Sequence, residues 1–100
     1  MRIFLVEDEP AVQVFIVAVL RTAGHSVVTA TNGDRAFRRY RAEGPFDLVL
    51  TDIEHPGMNG VELMHTIHKK NPEQDVRIIT GWPVLQKPFR AKQLLDFIKL

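Results

Sequence analysis

Three acidic positions stand where the chain leaves an apolar run. Glu7 and Asp8 follow Ile3-Phe4-Leu5-Val6, and Asp52 follows Leu48-Val49-Leu50-Thr51. A hydroxyl residue, Thr80, ends a third apolar run, and Lys87 precedes Pro88 soon afterwards. In a parallel α/β sheet the strand ends lie side by side, and ligands bind outside their carboxyl ends. Three carboxylates, a hydroxyl and an ammonium would therefore converge on one spot. Such a cluster suits a hard divalent cation, which prefers oxygen ligands, together with a phosphoryl group. Taken singly, each of these residues reads as a capping or solvated side chain. Their order along the chain gives them weight.

The elements that must position them alternate between strand-like and helix-like, the pattern of an α/β domain with a parallel sheet. Strand β1 is expected over residues 3–6. Helix α1 starts at Glu9-Pro10, where proline is tolerated in the first turn, and stops before Gly24. Strand β2 covers residues 26–30. Asn32-Gly33-Asp34 turns into helix α2, with Ala36, Phe37 and Tyr40 at helical spacing, and Gly44-Pro45 ends it. Strand β3, residues 46–51, is apolar enough to be covered on both faces. Helix α3 spans residues 60–70 with Leu63, Met64 and Ile67 inward, and strand β4 spans 75–80. Only Gly81-Trp82-Pro83 separates β4 from residues 84–89. A final helix follows Phe89, with Ala91, Leu94, Leu95 and Ile98 inward.

The 100 residues make a single domain, 1–100, small but adequate for a core. Thirteen basic residues nearly balance twelve acidic ones, for a net charge of +1, so no overall field argues for nucleic acid. Arg35, Arg38, Arg39 and Arg41 cluster on α2 and read as a solvated face, with the docking of an acidic partner as the sharper alternative. The chain has no cysteine, which excludes a disulfide framework and a thiolate metal site and fits a reducing compartment. Glu7-Asp8-Glu9 interrupts the first apolar run too soon for a signal peptide. The longest apolar stretch, residues 11–20, contains Gln13 and is about half the length that spans a bilayer. A cytoplasmic location without a membrane partner is expected. His65 and His68 could touch one metal, but no third ligand accompanies them.

Five motifs in order carry a resemblance: Phe4-Leu5-Val6-Glu7-Asp8-Glu9-Pro10, Asp47-Leu48-Val49-Leu50-Thr51-Asp52, Pro56-Gly57-Met58-Asn59-Gly60, Ile79-Thr80-Gly81 and Lys87-Pro88-Phe89. The chain resembles a response-regulator receiver domain of two-component signalling over nearly its whole length. The resemblance implies a three-layer, flavodoxin-like parallel sheet of order 2-1-3-4-5. It also implies phosphoryl transfer, with Mg²⁺ or Mn²⁺, from a histidine kinase or histidine phosphotransfer protein to an aspartate. Asp52 matches the phosphoacceptor, a carboxylate that can attack phosphorus once charge repulsion is masked. Asp8 matches the direct metal ligand, Glu7 the acid that usually acts through water, and Glu54 the position whose backbone carbonyl binds metal. Lys87 matches the lysine that pairs with a phosphate oxygen, and Thr80 the hydroxyl that moves to the phosphoryl group. Lys87-Pro88 matches a bond often cis in the family. Donor domains of the family dock on α1. Here Val12, Phe15, Ile16, Val19 and Leu20 form the inward stripe, and Val14, Val17 and Ala18 add apolar surface beyond it.

The chain departs from the family between Thr80 and Lys87, only seven positions apart, where a whole crossover belongs. The family's fourth helix, its α4, is missing. A parallel pair needs a crossover of about a dozen residues or more, and three residues reach at most roughly 11 Å. The fifth strand is therefore expected to be irregular, lost or swapped into a second subunit. The uncovered apolar side chains, each worth about 1.5–3 kcal/mol when buried, predict self-association as a homodimer or a shift of the final helix. Val84 stands where the family has its aromatic switch, so output through the usual face is not expected. The expected function is a stand-alone receiver without an output domain, signalling by protein contact or serving as a phosphate sink, with no direct nucleic-acid contact. It catalyses only its own phosphorylation and dephosphorylation. Two readings stand against this one. The first is a phosphorylation-independent interaction module with a relic site. The second is a phosphohydrolase with an Asp nucleophile, for which Glu54 has the offset of a general acid but no cap domain is visible.

Overall fold

Ile3, Phe4, Leu5 and Val6 are all fully buried, as a run without polar alternation requires of a strand covered on both faces. This run lies in the first of seven elements in a computed structural model that describes residues 1–53, 57–79 and 95–96. They are β1 (Arg2–Val6), α1 (Pro10–Thr22), β2 (Ser26–Ala30), α2 (Gly33–Glu43), β3 (Leu48–Asp52), α3 (Gly60–Lys70) and β4 (Val76–Ile79). All strand pairs are parallel, in the order β2-β1-β3-β4. This is the expected flavodoxin-like order over its first four strands. The places of the fifth strand and of the missing crossover lie outside the described residues, as does most of the final helix. Among the described residues, no helix is long and apolar enough to cross a membrane.

Alternate side chains of the strands feed two cores, which gives three layers. Ile3, Leu5, Leu48, Leu50 and Ile79 take Val12, Ile16 and Leu20 of α1 on one face, with Leu95 packed against them. Phe4, Val6 and Val49 take Ala36 and Tyr40 of α2, and Leu63 and Ile67 of α3, on the other. Phe15 and Val19, expected inward, are only half-buried, because the line with four-residue spacing, Val12, Ile16 and Leu20, faces the sheet squarely. Met64 is half-buried for the same reason beside Leu63 and Ile67. Strand β3 begins two residues later than its apolar run suggests. Phe46 precedes it, buried and stacked on Phe4 at 4.9 Å.

Local signals fix the helix ends. Pro10 opens α1, which has no cap from the Glu9 side chain. Gly24 leaves α1 at φ +94, a left-handed conformation that other residues adopt only at a cost. Asn32 Oδ1 accepts the Arg35 amide at 2.9 Å. Asn59 and Glu62 form a reciprocal capping box at the start of α3.

Candidate acidic site at the sheet rim

The register decides which residues leave the sheet together. Val6 lies opposite Ala30 on one side and Thr51 on the other, so the residues that follow Val6 and Thr51 emerge at the same rim. Glu7 is the first residue beyond β1, and its amide still donates to the Ala30 carbonyl at 3.0 Å. That bond directs the chain, and the Glu7 side chain ends up 2% exposed. Asp8 is exposed and Asp52, the last residue of β3, is half-buried. The nearest carboxylate oxygens of Glu7, Asp8 and Asp52 all lie within 4.8 Å of one another. The three acids predicted from sequence to converge do so.

The chain after β3 returns tightly against this rim. The Gly60 amide donates to the Ile53 carbonyl at 2.9 Å, and a Cβ on Gly60 would land on the Asp52 carbonyl oxygen. A Cβ on Gly33, at the start of α2, would land on the carbonyl of Met58. Thr51 Oγ1 donates to the Asp52 carbonyl at 2.9 Å. Asp52 is therefore held by its strand, by its neighbour's hydroxyl and by close backbone packing.

Burial pushes the Glu7 carboxyl up from 4.5 to about 7, and the nearby charges of Asp52 and Asp8 push it further the same way. The Glu9 amide, which donates to Glu7 Oε1 at 3.0 Å, opposes the rise. A buried carboxyl beside two others needs a proton or a cation. The donor set fits Mg²⁺. All three groups offer hard oxygens, and opposite ligands on Mg²⁺ are about 4.2 Å apart. A cluster spanning up to 4.8 Å suits direct contact from some carboxylates and a bridging water to another.

Glu54, Thr80 and Lys87 lie outside the described residues, as do Trp82, Val84 and the Lys87-Pro88 bond. Among the described residues, Glu7, Asp8 and Asp52 are the one group of three that could hold a metal. The His65/His68 pair does not join one. His65 is exposed, and His68 Nε2 lies 2.9 Å from the Gln74 carbonyl. On α2, Arg39 binds Glu43 at 2.6 Å and the Thr29 carbonyl at 2.8 Å. Arg41 lies over the Phe37 ring at 5.9 Å, and Arg35 and Arg38 are exposed. Sequence reasoning missed Gln13, whose Nε2 donates to the Glu7 carbonyl at 3.1 Å. Its one signal was a polar residue in the apolar helix that follows the acid pair.

The family model for the response regulator receiver domain matches residues 3–96. The response regulator receiver protein CpdR of Brucella abortus (strain 2308) is 34% identical, over 98% of this chain and 93% of CpdR. Other curated relatives are longer: the chain spans 33% of the probable transcriptional regulatory protein TcrX of Mycobacterium tuberculosis and 12% of the sensor kinase CckA of B. abortus. Among solved structures, the receiver domain of the hybrid histidine kinase CckA superposes with a TM-score of 0.83 at 31% identity, covering 99% of this chain and 96% of that one. The response regulator TrrA of Thermotoga maritima, solved with Mg(2+)-BeF, has a TM-score of 0.71 at 34% identity, covering 87% of this chain and 75% of TrrA. TrrA in complex with the histidine kinase ThkA gives 0.73, also at 34% identity, covering 81% of this chain and 69% of that one.

Proposed function

The chain belongs to the response-regulator receiver domain family, and from that premise we propose that Asp52 accepts a phosphoryl group from a histidine kinase or histidine phosphotransfer protein. Phosphorylation of an aspartate with Mg²⁺ is general for the family. The observation that carries the assignment to this chain is the meeting of Glu7, Asp8 and Asp52 within 4.8 Å at the carboxyl end of a parallel sheet. Asp8 and Asp52 would bind Mg²⁺ directly, Glu7 through water, and the Glu54 carbonyl would complete the protein's share. Mn²⁺, also a hard cation, would substitute. When bound there, the cation would mask carboxylate charge and offset the charge of the phosphoryl oxygens.

An Asp52 carboxylate oxygen forms the bond to phosphorus while the phosphorus–nitrogen bond of phosphohistidine breaks, and the electron pair stays with the imidazole. Lys87 is assigned to a phosphoryl oxygen and Thr80 to the hydroxyl that reports the phosphorylated state. Both assignments rest on the motif order. TrrA, seen with Mg(2+)-BeF and with a kinase, supports the cation and the class of partner. Exposed Val14 and Ala18 on α1, beside an apolar groove of 530 Å³ lined by Phe15, Val19 and Leu95, support docking through α1. Self-association through uncovered apolar surface is part of the same reading.

The match to CpdR across 93% of its length supports a stand-alone receiver in which residues 1–100 form one unit. It would signal by protein contact or act as a phosphate sink, in the cytoplasm where its donors present phosphohistidine. Mg²⁺-dependent labelling by acetyl phosphate, read by intact mass, tests the proposal. One phosphoryl group on the wild type and none on Asp52→Asn is the expected result. No labelling would favour the interaction module with a relic site. Sustained turnover of phosphate esters would favour the phosphohydrolase.

A further inference from the structure

Gln13 is a half-buried amide among Val12, Val14 and Phe15 in the second turn of a helix whose other residues from Pro10 to Leu20 are all apolar. Its Nε2 donates to the Glu7 carbonyl at 3.1 Å and approaches the Ala30 carbonyl at 3.5 Å. The Ala30 carbonyl is also the acceptor of the Glu7 amide. The Gln13 backbone amide binds the Glu9 carbonyl at 2.9 Å, and the Glu9 amide binds Glu7 Oε1 at 3.0 Å. Residues 7, 9 and 13 thus close a small ring of hydrogen bonds at the foot of α1.

The Glu7 carbonyl belongs to the peptide that joins Glu7 to Asp8. That unit is planar. Holding its oxygen therefore fixes ψ of Glu7 and φ of Asp8, the two torsions that set one acidic side chain relative to the other. Partners of this kind, one step removed from a metal, commonly govern affinity by orienting the ligands. We infer that Gln13 is the positioning residue of the acid pair: its amide clamps the Glu7–Asp8 peptide so that both carboxylates face Asp52. The inference rests on the metal-site reading above and adds a residue to it. It also ties the first turns of α1, the surface assigned to donor docking, directly to the acids.

Gln13→Met keeps the length and helix propensity of the side chain but removes the donor. In calorimetric titration with Mg²⁺ alone, its Kd is expected to rise about tenfold. Its thermal midpoint should stay close to that of the wild type, because a half-buried site tolerates methionine. In metal-free protein, the amide resonances of Asp8 and Glu9 should move in Gln13→Met and stay near their wild-type positions in Gln13→Arg, which retains a donor. Wild-type affinity in Gln13→Met, or equal shifts in both variants, would overturn the positioning role while leaving the metal site intact. Failure of the wild type itself to bind Mg²⁺ would overturn both.

Discussion

The Glu7 side chain caps the helix that follows it: Oε1 accepts the amide of Glu9, the residue at the N-cap of α1, at 3.0 Å. The Glu9 side chain makes no such bond. A carboxylate has two oxygens, so this cap uses one without withdrawing the group from the acidic cluster. The start of α1 and the rim of the sheet therefore share a single titratable group, and the state of the site is linked to the stability of the helix.

The pH dependence follows from that group. The folded protein holds the Glu7 proton more tightly than the unfolded chain does, with a value of about 7 against 4.5. The stability this contributes is fully present below the unfolded value and is lost as pH rises through the folded one. Metal-free protein is expected to lose up to roughly 3 kcal/mol across that window. Mg²⁺ should restore stability at neutral pH, and Glu7→Gln should flatten the profile. Urea unfolding at about pH 5 and about pH 8, with and without Mg²⁺, measures it. A flat profile for the metal-free wild type would contradict the burial of Glu7 beside two other acids.

Removing Asp52, the acid proposed as phosphoacceptor, should help the metal-free fold while abolishing the proposed phosphorylation. Two unit charges within 4.8 Å of each other repel by about 3 kcal/mol or more at the effective dielectric of a protein site. Asp52 is half-buried, so solvent screens much of that repulsion. Asp52→Asn is expected to stabilise metal-free protein by about 1 kcal/mol at neutral pH and to weaken Mg²⁺ binding at least tenfold. Paired thermal melts and calorimetry check both. A destabilised, metal-free Asp52→Asn would mean that the carboxylate is held by favourable bonds rather than strained by its neighbours.

The acids were legible in the sequence because each follows an apolar run, and parallel topology brings such run ends to one rim. The helix starts were legible as well, α2 from the Asn32-Gly33-Asp34 turn and α3 from residue 60, whereas the caps that Asn32 and Asn59 supply there emerged only in the structure. Gln74 was not. It sits between Glu73 and Asp75 in what reads as a polar connection, yet it is only 5% exposed. Its partners, Phe46 and Tyr40, lie 28 and 34 positions earlier, and no local pattern links them. The same gap explains β3. Phe46 looks like the first residue of the strand, but its amide and carbonyl bind the Gln74 side chain at 3.0 and 2.9 Å. The close approach of Gly60 to Asp52 was equally invisible, since a glycine beside an asparagine reads only as a turn.

The Gln74 network carries a prediction about stability alone. Tyr40 donates its hydroxyl to Gln74 Oε1 at 2.8 Å, and Tyr40→Phe should cost about 1 kcal/mol. Gln74→Leu leaves the Phe46 amide, the Phe46 carbonyl and the Tyr40 hydroxyl without this partner. It should cost about 2–4 kcal/mol, because orphaned buried groups lose more than the bond was worth. Denaturant midpoints measure both losses. Mg²⁺ affinity should stay within about twofold, since distant sites couple weakly.

Two glycines separate a backbone effect from an effect on the site. At Gly24, φ is +94 and nothing lies within 4 Å of an added Cβ. Gly24→Ala should therefore cost only the conformational penalty, about 1–2 kcal/mol, and leave Mg²⁺ affinity unchanged. Gly60 has the reverse problem. Its φ is not in the left-handed region, and alanine in a helix would ordinarily add up to about 1 kcal/mol of stability. Its Cβ, however, would strike the Asp52 carbonyl and crowd the Ile53 Cα. Gly60→Ala should instead destabilise by about 1–3 kcal/mol, the usual range for overpacking. It should also weaken Mg²⁺ binding, because relief of the clash moves Asp52. Denaturation and calorimetry on the two variants give a matched pair. If Gly60→Ala kept full Mg²⁺ affinity while losing stability, the position of Asp52 would not depend on the packing of α3 against the end of β3.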